Sequence, residues 1–229
     1  MNRLTEICKN NGIHLIEDCA QSHGSKYNGK MLGSFGEISC FSFYPSKNLG
    51  ALGALGDAGA ICTNNDKYYS KLKYLRNLGS QKKYEHEIIA TNSRLDSIQA
   101  LFLLTKFDDM DRCIEHKNTL VKNYINCEWF THLRNNDDKI YHSYHLYVIK
   151  LNDEIDRDKF MLYMEKNGIE TIIHYKIPFY KSNAFKELNH LSFYNAENNS
   201  NKIVSLPIYN TMTLEQIEYI NNLLNNFMN

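Results

Sequence analysis

Apolar positions in the first half of the chain switch between helical spacing and short continuous runs. Leu4, Ile7 and Cys8 fall on one helical face, and Gly12 stands where that helix would stop. Ile13-His14-Leu15-Ile16 is then a nearly unbroken apolar run, which predicts a strand buried on both faces of a parallel sheet, with His14 as a core histidine. Runs at Ile38 to Phe43 and Ala60 to Thr63 predict two more strands, and Tyr68, Leu72 and Leu75 line one face of a helix over Asp66 to Arg76. Strands alternating with helices predict an α/β unit with a mostly parallel sheet.

Ser93 and Asp96 have capping-box spacing ahead of Leu95, Ile98, Phe102 and Leu103. They predict a long helix that runs, with a bend, to about Asn123 and leads into a second unit. From about Glu128 the pattern predicts a strand at Tyr144 to Leu151, a helix at Arg157 to Asn167 and a strand around Thr171 to Tyr175. A loop with Pro178 follows, then a polar stretch from Asn195 to Asn201, Leu206-Pro207, and a terminal helix over Leu214 to Phe227. The expected division is 1–127 for the α/β unit with its linking helix and 128–229 for a smaller α+β unit.

Charge adds mainly exclusions. Twenty-six basic residues balance 26 acidic ones, so neither a nucleic-acid groove nor an acidic membrane surface is expected as partner. No apolar stretch approaches the roughly 20 residues of a membrane helix, and Met1 leads directly into a polar amphipathic segment, so a cytoplasmic protein is expected. The six cysteines form no CxxC pair and mostly sit in apolar runs. Buried free thiols are expected, not disulfides or a metal site.

Ligands of parallel sheets gather outside the carboxyl ends of the strands. Asp18 follows the first run, Ser42 ends the second, and Lys47 lies just beyond it. Singly, each has an ordinary reading: an Asp capping a turn, a solvated lysine. Together they supply what pyridoxal-phosphate (PLP) chemistry needs. That is an amine to hold the cofactor and move a proton, a carboxylate to keep a pyridine nitrogen protonated, and a hydroxyl for phosphate. The glycine-rich segment Gly50 to Gly59 matches neither a Walker loop nor G-x-G-x-x-G. Taken alone it reads as a connection between strands.

Ile16-Glu17-Asp18-Cys19-Ala20-Gln21-Ser22-His23-Gly24 resembles the "EDAAQAHG" motif of the DegT/DnrJ/EryC1/StrS sugar aminotransferases. Gly33-Ser34-Phe35-Gly36 and Cys40-Phe41-Ser42-Phe43-Tyr44-Pro45-Ser46-Lys47-Asn48-Leu49-Gly50 resemble that family's "GSFG…FSFYPTKNLG" block. Leu75 to Ser80 is similar to "LRNHGS" and Asn92 to Asp96 to "NSRLD", and Ile173-His174-Tyr175 and Leu206-Pro207 also fit, all in the right order.

The resemblance implies a fold type I PLP-transferase large domain with a small C-terminal α+β domain. It also implies transfer of an amino group, with glutamate as donor, to a nucleotide-linked keto-deoxysugar in amino-sugar biosynthesis. By the same resemblance Lys47 would hold PLP and serve as general base. Asp18 would face the ring nitrogen, Gln21 the 3-hydroxyl and Ser42 the phosphate. Asn92 would reach the phosphate of a neighbouring subunit in a dimer; if Ser93 is an N-cap, Asn92 stands at a helix start, where an anion is favoured. His23 and His174 are substrate-side candidates.

Three departures from the family pattern bear on this. Family members carry a segment ahead of the position of Met1 that supplies strands, a phosphate loop and the aromatic ring that stacks on PLP. Without it a homodimer partner or a companion chain would have to complete the fold. Gly50 to Gly59 reads as a three-residue tandem duplication of "GALGDGG", with Ala58 in place of a glycine. It is expected to strain Ala58 if φ is positive there, and to displace Lys47. Leu78 stands where the family commonly has His. The first two departures support an alternative: a catalytically impaired remnant serving only in oligomerisation or partner binding.

Overall fold

The computed structural model describes residues 1–133 and 137–228. In chain order they form α1 (Asn2–Asn10), β1 (Ile16–Asp18), β2 (Lys26–Tyr27), β3 (Lys30–Met31), β4 (Ile38–Ser42), β5 (Gly59–Cys62), α2 (Asp66–Leu75), β6 (Ser80–Lys82), β7 (Glu85–His86), α3 (Ser97–Phe107) and α4 (Met110–Asn123). The remainder is β8 (Phe130–His132), β9 (Ile140–Tyr141), β10 (Tyr147–Leu151), α5 (Arg157–Lys166), α6 (Tyr194–Lys202), β11 (Ile203–Leu206) and α7 (Leu214–Asn226), with short 3₁₀ turns between. Two compact units result: residues 1–114 with 137–145, and the remaining described residues.

The first unit is built on a three-stranded sheet in the order β1-β4-β5. β1 and β4 run parallel, Asp18 opposite Cys40, while β5 returns antiparallel, Gly59 opposite Ser42. The carboxyl ends of β1 and β4 therefore fall on the same edge. α1 is closed by Asn11 as its C-cap, with Gly12 in the left-handed region at φ 63°. α2 is capped by Asn65, whose side chain accepts the Lys67 and Tyr68 N–H groups. Leu49, Ala51, Leu103, Met110 and Ile114 form a buried cluster, flanked by Phe43, Ala58 and Leu95.

Five expectations are corrected here. The first strand begins at Ile16 rather than Ile13, because residues 11–15 are used in leaving α1; pairing starts only where the Leu15 carbonyl accepts the Glu37 N–H at 2.9 Å. Ile13 and Ile16 are exposed instead of buried on both faces. His14 is a surface residue, its Nδ1 2.8 Å from Glu37 Oε1. Ser93 is not a helix cap: α3 starts at Ser97 behind Asp96, and no side-chain cap forms. The anticipated bend is a break, with α3 ending at Phe107 and α4 starting at Met110.

The second unit has an antiparallel sheet, β11-β10-β8, with α5, α6 and α7. Its core includes Tyr147, Ile149, Leu151, Phe160, Met164, Val204, Ile217, Ile220 and Leu224, each worth about 1.5–3 kcal/mol of burial where the side chain is large. β10 buries alternate residues, as a half-covered strand should. Thr213 and Gln216 close a capping box that starts α7. The expected strand at Thr171 to Tyr175 reduces to a single bridge between Ile172 and Ser205. The polar stretch Asn195 to Asn201 is helical and lies within α6.

No helix among the described residues is long and apolar enough to cross a membrane. Among those residues no group of three or more His, Cys, Asp or Glu side chains is placed to hold a metal ion. All six cysteines are free; Cys8 and Cys19 are buried as expected, whereas Cys62 is exposed on the last residue of β5.

Candidate active site

Strand alternation separates the two acidic residues of β1. Glu17 points inward and is only 7% exposed, whereas Asp18 is exposed at the strand's carboxyl end. The Glu17 carboxylate accepts three backbone N–H groups, from Gly33 at 2.8 Å, Phe35 at 2.6 Å and Gly36 at 2.7 Å. Those bonds pin the Gly33–Gly36 turn under β1. Asp18 Oδ1 accepts the Ala20 N–H at 3.0 Å, which shapes the turn carrying exposed Gln21. Sequence reasoning assigned Glu17 no role; a glutamate inside an apolar run, one position from Asp18, was the available signal.

Ser42 ends β4, and its Oγ accepts the Tyr44 N–H at 3.2 Å. Beyond it the chain makes a closed loop: Lys47 N–H donates to Tyr44 O at 2.8 Å, and Ala51 N–H donates to Phe43 O at 2.8 Å. Gly50 is required within it, because a Cβ there would lie 2.2 Å from the Pro45 carbonyl oxygen. Asn48 is buried and donates to Ser143 O at 2.9 Å, and Leu49 and Ala51 are buried in the core cluster. Lys47, half-buried, is thus carried on a loop whose two ends and whose next residues are all fixed.

His23 lies inside, 4% exposed, its ring 5.5 Å from that of Phe41 and 5.9 Å from that of Phe43. Neither ring nitrogen has a hydrogen-bond partner of good geometry. Burial, helped by the nearby Lys47 charge and opposed by the Ser42 backbone, lowers its pKa to about 4. The imidazole is therefore neutral at physiological pH. Asp18, Ser42, Lys47 and His23 are all placed by the carboxyl ends of β1 and β4. An amine, a carboxylate and a hydroxyl so placed can hold a phosphorylated aldehyde cofactor.

The DegT/DnrJ/EryC1/StrS aminotransferase family model matches residues 1–225. The chain belongs to this family. Among its relatives in the DegT/DnrJ/EryC1/StrS family is the dTDP-3-amino-3,6-dideoxy-alpha-D-galactopyranose transaminase of Aneurinibacillus thermoaerophilus. The two are 39% identical over 99% of this chain and 61% of that protein. The UDP-N-acetyl-3-dehydro-alpha-D-glucosamine 3-aminotransferase of Acidithiobacillus ferrooxidans is 34% identical over 96% of this chain and 58% of its own. Among solved structures, Streptomyces venezuelae DesV in complex with a ketimine intermediate superposes with a TM-score of 0.90 at 30% identity, covering 99% of this chain and 61% of that one. The chain thus spans about three-fifths of the length of the relatives it matches, and its fold is that of the fold type I PLP-transferases.

Within that family fold, the loop that carries Lys47 is closed ahead of the glycine-rich segment. Leu52 to Asp57 form an exposed stretch, with a 3₁₀ turn at Gly53–Leu55. Positive φ falls on Gly56, at 103°, and not on Ala58, so the alanine is unstrained. Gln99, 2% exposed on α3, accepts the Leu52 N–H at 2.9 Å and donates to Leu52 O at 3.0 Å and Gly56 O at 3.1 Å. Leu78 does depart from ordinary geometry, with φ 59°.

Two expected site residues are placed elsewhere. Asn92 is exposed and bridges to Asn77, four residues before Asp96 and so outside the helix start. His174 belongs to the second unit, where its Nδ1 lies 2.8 Å from Ser205 Oγ.

Proposed function

We propose that the chain acts within a PLP-dependent aminotransferase that passes an amino group from glutamate to a keto-deoxysugar carried on a nucleotide, in amino-sugar biosynthesis. The observation that carries this reading is the placement of Asp18, Ser42 and Lys47 by the carboxyl ends of two paired parallel strands, in a chain of an aminotransferase family. The named relatives act on dTDP- and UDP-linked sugars, which supports a nucleotide-linked substrate.

PLP, when bound, supplies the electron-withdrawing ring that carries the amino group between donor and sugar. Lys47 Nζ holds the cofactor and then takes and returns the proton that moves during transfer. The Asp18 carboxylate keeps a proton on the ring nitrogen, Gln21 hydrogen-bonds the 3-hydroxyl, and Ser42 Oγ anchors the phosphate. Asn92 serves the phosphate of a neighbouring subunit in a homodimer; its exposure suits that contact. His174, a substrate-side candidate by the family resemblance, is carried by the second unit. His23 has too little exposed surface for direct substrate contact and is better suited to the interior of the site.

The remnant reading loses one of its two supports, because the glycine-rich segment neither opens the Lys47 loop nor strains Ala58. The test is spectroscopic. The full chain mixed with PLP should gain a visible band that glutamate discharges, as does a dTDP-linked 3-amino sugar in the reverse direction. Absence of any band contradicts the cofactor assignment. A band discharged by glutamate but by no nucleotide-linked amino sugar contradicts the substrate class.

A further inference from the structure

Gln99, Leu103 and Lys106 recur at four and three residues along α3 and so share one face of it. That face lies against the segment following Lys47. Lys106 Nζ donates to the Gly50 carbonyl at 2.8 Å, with its ammonium 5.4 Å from the Phe102 ring centroid. Gln99 holds both backbone groups of Leu52, as a neighbouring strand would, and adds Gly56 O. Leu103 packs in the same cluster as Leu49 and Ala51. The bonded carbonyls begin three residues after Lys47, and no other described charged side chain bonds Gly50.

We propose that Gln99 and Lys106 are positioning residues for Lys47, acting through the backbone of residues 50–56. The proposal rests on the reading of Lys47 as the cofactor lysine. A surface lysine would be solvated; Lys106 instead has its pKa lowered by burial and donates to a main-chain carbonyl. A buried glutamine likewise needs partners, and all three of its bonds go to one loop. The loop's closing bond, Ala51 N–H to Phe43 O, lies between the two anchored residues Gly50 and Leu52. α3 fixes both ends of the exposed Leu52 to Gly56 stretch, which bulges outward while the loop that carries Lys47 stays closed.

The test uses the cofactor-free 229-residue chain, so that it stands apart from PLP binding. Hydrogen exchange across residues 43–52 and acetylation of Lys47, relative to exposed Lys67 and Lys71, are measured in the parent, Lys106→Met, Gln99→Leu and Lys106→Arg. Lys106→Met and Gln99→Leu should speed exchange of the Ala51 amide by about ten-fold and move the Lys47 labelling rate toward that of the two surface lysines. Lys106→Arg should restore both. Because far-UV circular dichroism and exchange in α7 report global folding, a variant that merely unfolds is recognised, and Lys106→Arg then decides. Parent-like exchange and labelling in both disruptive variants, or failure of Lys106→Arg to rescue a folded protein, overturns the proposal. A chain that shows the clamp effects but takes up no PLP overturns only the cofactor reading.

Discussion

Glu17 Oε1 receives the Gly36 N–H at 2.7 Å, and through the same carboxylate the turn from Gly33 to Gly36 is fastened to the strand that ends at Asp18. The group is buried, so its three bonds are charge-assisted and shielded from water. Glu17→Gln keeps the shape but turns an amide N–H₂ toward a backbone donor. It should lower stability by about 1.5–3 kcal/mol, read as a drop in the urea midpoint with an unchanged slope. An unchanged midpoint would show that the carboxylate contributes nothing net.

His23 makes stability depend on pH. Its folded pKa is about 4, against an ordinary value of 6.5, so between those values the unfolded chain binds the proton and the folded chain does not. Stability is then complete above about pH 6.5 and declines as the pH falls toward 4. His142, whose pKa burial also lowers, acts in the same direction. His23→Phe removes the titrating group while keeping an aromatic ring between Phe41 and Phe43. The slope of unfolding free energy between pH 4 and 6.5 should flatten in this variant.

Gly50→Ala places a methyl group 2.2 Å from the Pro45 carbonyl oxygen and 2.9 Å from that of Tyr44. Both obstacles are backbone, so the loop has to open. A loss of about 1–3 kcal/mol is expected, together with faster exchange of the Ala51 amide. Gly12→Ala meets no atom within 4 Å but has φ 63°. It separates the effect of strain, which both stability and the α1 terminus would register, from that of crowding next to Lys47.

Leu78 holds φ 59°, a region disfavoured for a branched side chain, and is 42% exposed. Asn tolerates this backbone better, so Leu78→Asn should raise stability by about 0.5–1 kcal/mol. Thermal and urea unfolding check it. A decrease would mean that leucine's contacts outweigh its strain.

Periodicity identified α1, α2, α5 and α7 because each carries its apolar face at regular spacing and has a recognisable stop or cap. It misplaced the start of β1, since apolar residues at Ile13 to Leu15 leave α1 rather than pair. It missed α6, because the Tyr194 to Lys202 sequence is almost wholly polar and offers no apolar spacing to read. The placement of Asp18, Ser42 and Lys47 at strand ends was legible from the order of strands. The supports of that placement were not. Glu17, Gln99 and Lys106 act on backbone groups distant in sequence, and no spacing rule connects Gln99 with Leu52 or Lys106 with Gly50.

The role of Lys47 is tested most directly by borohydride reduction of the full chain in the presence of PLP, with the modified residue located by peptide mass spectrometry. The cofactor should be fixed to Lys47 in the parent and to no single lysine in Lys47→Ala, and Asp18→Ala should weaken its uptake. Label distributed over surface lysines in the parent, with Lys47 no more modified than Lys67, would contradict the role assigned to it.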